Sequence, residues 1–204
     1  MDDDRTQLEA WRAGDTRAGD RLFVRHFDAV DRFLRNKVGD DAIPDLVQRT
    51  FLTCIERPDG FRGLSSFRTF LLGIAHNLLR EYYRRSARHS HRDLDEHSVE
   101  DLGAGPSTLV RAKEEQRLLL AALRSIPLDA QVVLELFYWE QLSGAELAEV
   151  LGVGEDTART RLRRARLRLA EALERLASSR AVLDSILSDL DSWARSIHAG
   201  ATVT

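Results

Sequence analysis

The sequence predicts an all-α protein made of two small helical domains. Apolar residues recur at helical spacing along almost the whole chain, strand-like alternation is nearly absent, and only 4 prolines interrupt the 204 residues. We expect helices at about residues 6–13, 17–38, 43–56, 66–88, 109–126, 129–140, 144–151, 155–177 and 180–198.

Turn residues separate these helices and divide the chain. The Pro58–Gly60 turn breaks the third helix from the fourth, for which Ser65 or Ser66 is the expected N-cap, and Pro127 ends the fifth. A polar stretch rich in Asp, Glu and Ser, without helical periodicity, indicates a flexible acidic linker. The expected division is an N-terminal domain (1–88), the linker (89–107), a second domain (108–177) and a C-terminal helical extension (178–204).

The composition excludes several classes of protein. Hydrophobic residues make up 43% of the chain and charged residues 31%, which favours a globular core. The longest apolar run, 118–123, is far shorter than the roughly 20 residues needed to cross a bilayer, and the acidic start lacks the basic front of a signal peptide. The single cysteine, Cys54, permits neither an internal disulfide nor a cysteine-based zinc site. We expect a cytoplasmic protein that binds no membrane and needs no cofactor or metal.

Charge is distributed unevenly along the chain, although the net value is only −3. Residues 61–92 carry a net charge of +6 and residues 155–180 of +4, whereas residues 93–116, between them, carry −5. Two basic segments separated by an acidic one are compatible with a nucleic-acid partner.

The segment LSGAELAEVLGVGEDTARTRL (142–162) has the pattern of a helix-turn-helix. Ser143 and Glu146 form a capping box, and Gly152 stands where the turn requires a positive φ. The outer side of the second helix carries polar and basic residues suited to a DNA major groove, and its expected buried stripe is Ala158, Leu162, Ala165, Leu169 and Leu173. These outer residues are Arg159, Thr160, Arg163, Arg164 and Arg166. The alternative is a solvated arginine-rich helix that binds nothing.

The other basic segment lies on the fourth helix. Its expected buried stripe is Phe67, Phe70, Leu71, Ile74, Leu78 and Tyr82. The opposite face carries Arg68, His76, Asn77, Arg80, Tyr83, Arg84 and Arg88. Cations interleaved with an amide and an aromatic ring can bind single-stranded nucleic acid, although aromatic residues in such a pattern more often serve ordinary packing.

Three segments together resemble a known family. DAIPDLVQRTF (41–51) and FRTFLLGIAHNLL (67–79) resemble region 2 of the extracytoplasmic-function (group IV) sigma factors of bacterial RNA polymerase, in the sigma-70 family, and 142–162 resembles their region 4. The resemblance implies a sigma factor that binds core polymerase, recognises promoters and directs DNA melting.

The resemblance also implies roles for individual residues. Asp45, Gln48 and Arg49 would contact the clamp coiled coil of the largest polymerase subunit, and the polymerase flap is a further implied contact. Loop 57–66 would hold a flipped base of the minus-ten element. The fourth helix would contact melting DNA through Arg68, His76, Asn77, Arg80, Tyr83 and Arg84. The recognition helix would contact the minus-thirty-five element through Arg159, Thr160, Arg163 and Arg164. An anti-sigma factor is a further implied partner.

Two other interpretations compete with this one. An enzyme is disfavoured because the chain has no glycine-rich phosphate loop, nucleophile elbow or paired-histidine metal motif; three histidines, His89, His91 and His97, lie in the linker without ligand spacing. A helix-turn-helix transcriptional regulator with an N-terminal protein-interaction domain explains 142–162 but leaves the matches at 41–51 and 67–79 unexplained.

Overall fold

The computed structural model describes residues 2–56, 60, 61, 63, 65–87 and 114–177, which contain eight α-helices and no strand. The helices are α1 (Asp2–Arg12), α2 (Thr16–Arg35), α3 (Ile43–Glu56), α4 (Phe67–Ala87), α5 (Glu114–Ser125), α6 (Leu128–Tyr138), α7 (Gly144–Leu151) and α8 (Glu155–Leu176). The predicted all-α class is confirmed. In these ranges no helix is long and apolar enough to span a membrane.

Helices α1 to α4 form an N-terminal unit. α1 packs on α2, α2 on α3 and α4, and α3 on α4. α1 begins earlier than predicted because its acidic first turn contacts two side chains of α2: Asp3 and Asp4 pair with Arg25, and Asp4 also lies 2.8 Å from Nε2 of His26. Gly19 permits the close approach of α1, since an added Cβ would lie 2.8 Å from the Trp11 ring.

The end of α2 also differs from the expectation. The helix ends at Arg35 with Asn36 as its C-cap, three residues before the predicted end. Lys37 and Val38 are fully buried in the turn that follows. Val38 follows the buried Leu34 at the helical spacing of four residues, and its amide still donates to the Leu34 carbonyl at 3.3 Å, so the periodic pattern continues beyond the end of α2.

Helices α5 to α8 form a C-terminal unit in which α5, α6 and α7 all pack on α8. The predicted capping box is present: Ser143 Oγ accepts from the Glu146 amide, and the Glu146 carboxylate accepts from the Ser143 amide. Gly152 has φ 65° and ends α7 in the left-handed conformation. Gly154 is the N-cap of α8. The helix-turn-helix is therefore confirmed.

The bounds of three helices, α3, α4 and α7, agree closely with the sequence prediction. α3 and α7 have the predicted ends, and Ser66 caps α4, because its Oγ accepts from the Thr69 amide at 3.0 Å. The expected linker (89–107) and the helix at 180–198 lie outside the described residues, as does half of the loop between α3 and α4.

The two units pack directly against each other. α4 of the N-terminal unit crosses α7 of the C-terminal unit, and buried side chains of both units belong to one hydrophobic core. Gly73 marks the crossing, since a Cβ added there would lie 3.9 Å from the Val150 Cα. The helix-turn-helix therefore lies on the helix that carries the other predicted DNA contacts.

Candidate polymerase and nucleic-acid interfaces

The outer face of α8 is open to solvent. The buried stripe is the predicted one: Ala158, Leu162, Ala165, Leu169 and Leu173. Arg159, Thr160, Arg163 and Arg164 are all exposed, and the Arg159 side chain is 72% accessible. Arg166 is turned back towards α6, where its guanidinium lies 5.2 Å from the centre of the Phe137 ring. Residues 159–164 of α8 therefore present the basic surface that a recognition helix requires, beyond an acidic first turn in which Glu155 and Asp156 pair with Arg159.

The predicted outer face of α4 is only partly exposed. Asn77, Arg80 and Arg84 are exposed as expected. His76 and Tyr83 do not lie on the predicted exposed face: His76 is buried against α7, and Tyr83 is 2% accessible with its hydroxyl donating to the Lys37 carbonyl. Burial raises the pKa of Tyr83. Its neighbour Tyr82, predicted to be buried, is partly accessible.

The exposed part of α4 faces a cleft against α3, with a volume of about 520 Å³. Its lining includes Asn77, Arg80 and Arg84 together with Arg49. Nη2 of Arg49 donates to the Glu81 carboxylate at 3.2 Å, which ties α3 to α4. Arg49 therefore lies with the predicted DNA contacts of α4. The cleft is basic, because three arginines line it against one carboxylate, that of Glu81. Such a cleft suits a phosphate backbone.

A second concave surface lies between α2 and α3, with a volume of about 890 Å³. Large apolar side chains on it are solvent-exposed: Val24 (77%), Phe27 (47%), Leu52 (46%) and Ile55 (46%). Gln48 lines this groove, and Asp45 is exposed in the first turn of the same helix. An apolar patch rimmed by polar residues is typical of a protein-binding site.

Comparison with known families accounts for both units. The family model for sigma-70 region 2 matches residues 22–89, and the model for sigma-70 region 4 matches residues 116–169. The two matches follow each other in one chain and together cover more than half of it. The chain belongs to the sigma-70 family. Region 2 accordingly includes α2 to α4, and region 4 includes most of α5 to α8.

Individual relatives agree with this assignment. The extracytoplasmic-function RNA polymerase sigma-E factors of Escherichia coli K12 and Haemophilus influenzae are each 28% identical over 172 residues, covering 80% of this chain and 90% and 91% of theirs. CnrH, solved in complex with the cytosolic domain of CnrY, is 26% identical, with a TM-score of 0.57 over 86% of this chain and 99% of CnrH. The sigma factor RpoE of Bartonella quintana, solved with the anti-sigma factor NepR, shares the fold at a TM-score of 0.59 and 22% identity, over 76% of this chain and 96% of RpoE.

Buried ion pairs between regions 2 and 4 were not foreseen from the sequence. Lys37 is completely buried, lies 4.3 Å from the centre of the Phe33 ring, and donates to the Glu135 carboxylate of α6. Glu135 also accepts from Nε2 of Gln131 at 2.8 Å. One signal was present: Glu135 interrupts an apolar run, and Lys37 is one of only two lysines in the chain. A charge in such a position requires a partner.

Glu140 is the centre of a second group. Its side chain is 2% accessible and accepts from Arg32 of α2, whose Nε and Nη2 lie 3.0 and 3.2 Å from its two oxygens. Arg68 of α4 donates to the same carboxylate and, at 2.7 Å, to the Glu140 carbonyl. Arg68, a predicted DNA contact, is therefore held by region 4 in this arrangement.

His76 joins the two regions through a single hydrogen bond. Its Nδ1 lies 3.2 Å from the Val150 carbonyl, which can only accept, so Nδ1 carries the proton. Burial lowers the pKa of His76 to about 4, although the bond to Val150 acts in the opposite direction. The charges of Arg80, Lys37 and Arg161 contribute to this lowered pKa of His76.

The packing of region 4 on region 2 is therefore expected to weaken in acid. A histidine whose pKa lies below 6.5 in the packed form favours that form while it is neutral, so the contribution is complete above 6.5 and is lost as the pH falls towards about 4. At pH 5.5 the loss is roughly 1 to 1.5 kcal/mol. Urea unfolding at pH 7.0 and 5.5 measures it. His76→Gln, which cannot titrate, is the control, and equal pH dependence in both proteins would contradict the assignment.

Proposed function

We propose that this sigma factor directs transcription initiation through three separate surfaces, one for core polymerase and two for promoter DNA. The observation that carries the proposal is that the exposed face of the α8 recognition helix and the polar-rimmed groove of region 2 occur in one chain. The matches at 22–89 and 116–169 support a region 2 domain within residues 1–88 and a region 4 domain within residues 108–177.

The groove between α2 and α3 is the proposed site for polymerase. Its exposed apolar side chains would gain roughly 25 cal/mol for each Å² removed from water, and its polar edge would select the partner. Asp45 and Gln48 are suited to that edge because the apolar stripe of α3 is complete without them. Asp28, Asp31 and Asp40 also line the groove against one cation, Arg35, which pairs with Asp31, so a partner surface with basic residues is favoured.

The cleft between α3 and α4 is the proposed site for the melting strand. Asn77, Arg80 and Arg84 line it, and Arg49 adds a fourth polar side chain. We propose Arg49 for this surface as well as for polymerase, because its ion pair with Glu81 directs it towards α4. The α8 face would contact duplex DNA, where arginines can donate to both phosphates and base edges.

The remaining parts of the proposal concern the protein's setting. No catalytic step is assigned to this chain, since the polymerase catalyses nucleotide addition. The cytoplasm is the proposed location because the polymerase is there. The structure of the sigma factor RpoE of Bartonella quintana was solved in complex with the anti-sigma factor NepR. By analogy, an inhibitory partner of this kind is proposed here too.

Transcription in vitro tests the function directly. Core polymerase of the source bacterium, freed of its own sigma factors, would be combined with the full chain and a library of fragments from the same genome. Discrete transcripts that require this chain are expected. Transcription that is independent of it, or no affinity for core enzyme, would instead favour a helix-turn-helix regulator.

Single substitutions should separate the two DNA surfaces. Arg163→Ala is expected to reduce the salt dependence of duplex binding by the holoenzyme, with a change in slope of about 0.9, because one phosphate contact is lost. Asn77→Ala should leave duplex binding intact and impair strand opening, measured by permanganate footprinting. Arg168→Ala, exposed further along α8, is the matched control for Arg163→Ala. Normal melting by the Asn77 variant would contradict this division.

A further inference from the structure

Another concave surface lies between α1 and the loop that joins α3 to α4, with a volume of about 430 Å³. The described residues that line it all belong to the segment 4–67. Its size is within the roughly 300 to 1,000 Å³ usual for small-ligand sites. Leu8 and Phe61 supply apolar surface, and Arg12 and Ser65 supply hydrogen-bond donors. An aromatic wall with a few polar groups suits an unpaired nucleobase, which has flat faces and polar edges.

α1, which forms one side of this pocket, is fixed to α2 along its length. In its first turn Asp4 pairs with Arg25 at 2.6 Å. In its last turn the Trp11 ring lies against Gly19 and is edge-on to the Phe23 ring, with 5.3 Å between the ring centres. These contacts involve only α1 and α2, so α1 can act as a fixed support for the loop.

Arg12, the last residue of α1, joins this support to the loop. Its Nη2 donates to the Phe61 carbonyl at 2.7 Å, across 49 residues of sequence. The Phe61 ring is itself packed edge-on to Phe67, at 5.6 Å between centres, and lies 5.5 Å from Phe70. Phe61 is therefore held through its backbone by α1 and through its ring by α4. Two residues later Gly63 has φ 71°, which glycine adopts without steric cost.

The pocket adjoins the proposed path of the melting strand. On α4, the lining of the basic cleft starts at Ile74, whereas the lining of the pocket ends at Phe67. The two positions are about 10 Å apart along the helix, a distance that about three nucleotides cover at about 3.4 Å each. A strand that lies in the cleft can therefore place one unpaired base at the pocket.

We propose that α1 takes part in base selection: Arg12 positions the loop so that Phe61 and the pocket hold one unpaired base of the melting strand. Arg12 is a positioning residue, because it contacts the loop and not the DNA. The inference rests on the proposed function, which assigns the neighbouring cleft to that strand. It extends base selection to a helix that precedes the region 2 match, since the match begins at residue 22.

Four variants test the proposal. Arg12→Ala removes the bond to the loop, and Arg12→Lys keeps a charged donor at the same place. Arg17→Ala is the matched control, because it removes the same charge from an exposed position that does not line the pocket. Gly63→Ala strains the loop from its own side, since φ is 71° and an added Cβ would have nothing within 4 Å. Arg12→Ala and Arg17→Ala should melt at the temperature of the unmodified chain, because both side chains are exposed.

The probe is a fluorescein-labelled fork DNA from a promoter found by transcription in vitro, titrated with holoenzyme made from core polymerase and each full chain. The single-stranded tail carries each of the four bases at every position in turn. The unmodified holoenzyme should prefer one base by about tenfold or more at one position of the tail. Arg12→Ala and Gly63→Ala should reduce that preference by about fivefold, the effect of losing one hydrogen bond. Preferences at the other positions should stay unchanged, and Arg12→Lys and Arg17→Ala should keep the full preference.

Other outcomes contradict the proposal. An unchanged base preference in Arg12→Ala would show that the bond to Phe61 does not shape the pocket. An equal loss of preference at every position, or a loss of the same size in Arg12→Lys or Arg17→Ala, would show a general effect of stability or charge. Failure of the unmodified holoenzyme to bind the fork would refute the proposed function and, with it, this inference. Transcription by the unmodified holoenzyme is measured in parallel, so that the two failures are distinguished.

Discussion

Asp45→Arg is expected to weaken the complex with core RNA polymerase by about 2 to 5 kcal/mol, the range found when one partner of a desolvated charge pair is lost. Asp45 is exposed in the first turn of α3, beside the apolar groove. The isolated protein should keep its stability to within about 0.5 kcal/mol, because no core contact is removed. The affinity is measured by competition with a labelled sigma factor for core enzyme.

The matched control is Glu9→Arg, which makes the same charge change on α1. Glu9 is exposed and pairs only with the exposed Arg5 among the contacts of the described chain. The Glu9→Arg substitution should leave the affinity for core polymerase within about 0.5 kcal/mol of that of the unmodified chain. If Asp45→Arg and Glu9→Arg bind core enzyme equally well, Asp45 is not part of the polymerase contact.

Glu135→Leu is expected to destabilise the packed arrangement of regions 2 and 4 by about 3 to 5 kcal/mol, because it leaves Lys37 buried without its carboxylate. Lys37 regains water when α6 moves away from the end of α2. Regions 2 and 4 should therefore separate from each other before either region unfolds. Scattering and thermal denaturation together measure the two events.

The control replaces both charges. Lys37→Met with Glu135→Leu fills a similar volume with apolar side chains, which commonly restores or improves stability at a buried ion pair. The double variant should regain the compact dimensions of the unmodified chain. A Glu135→Leu protein that stays compact and melts at the unmodified temperature would show that this pair does not hold the regions together.

The parts of the molecule set by local interactions could be predicted from the sequence. The helix-turn-helix is the clearest case, because the capping box at Ser143 and the left-handed Gly152 act within one turn of the chain. The buried stripe of α8 could be predicted equally well, since its small and aliphatic residues recur at helical spacing. The open face of α8 follows from that stripe.

The contacts between distant segments could not be predicted in the same way. Periodicity along α4 gives the angle of each residue on the helix but not which neighbours cover it, so His76 and Tyr83 were expected on the exposed face. Both are buried because α7 and the turn at Lys37 approach from that side. Likewise, nothing local relates Arg32 to Glu140, more than a hundred residues later.

The connection between α6 and α7 has an evolutionary consequence. Although it is a loop, Trp139, Glu140 and Leu142 are all buried, and Gln141 between them has φ 53°, a conformation that costs a side chain about 1 to 2 kcal/mol. Loops ordinarily accept insertions. One extra residue here would turn Glu140 away from both of its arginines or rotate α7 off α4. Related chains that preserve this packing are therefore expected to keep the loop at constant length and to vary in length at other connections.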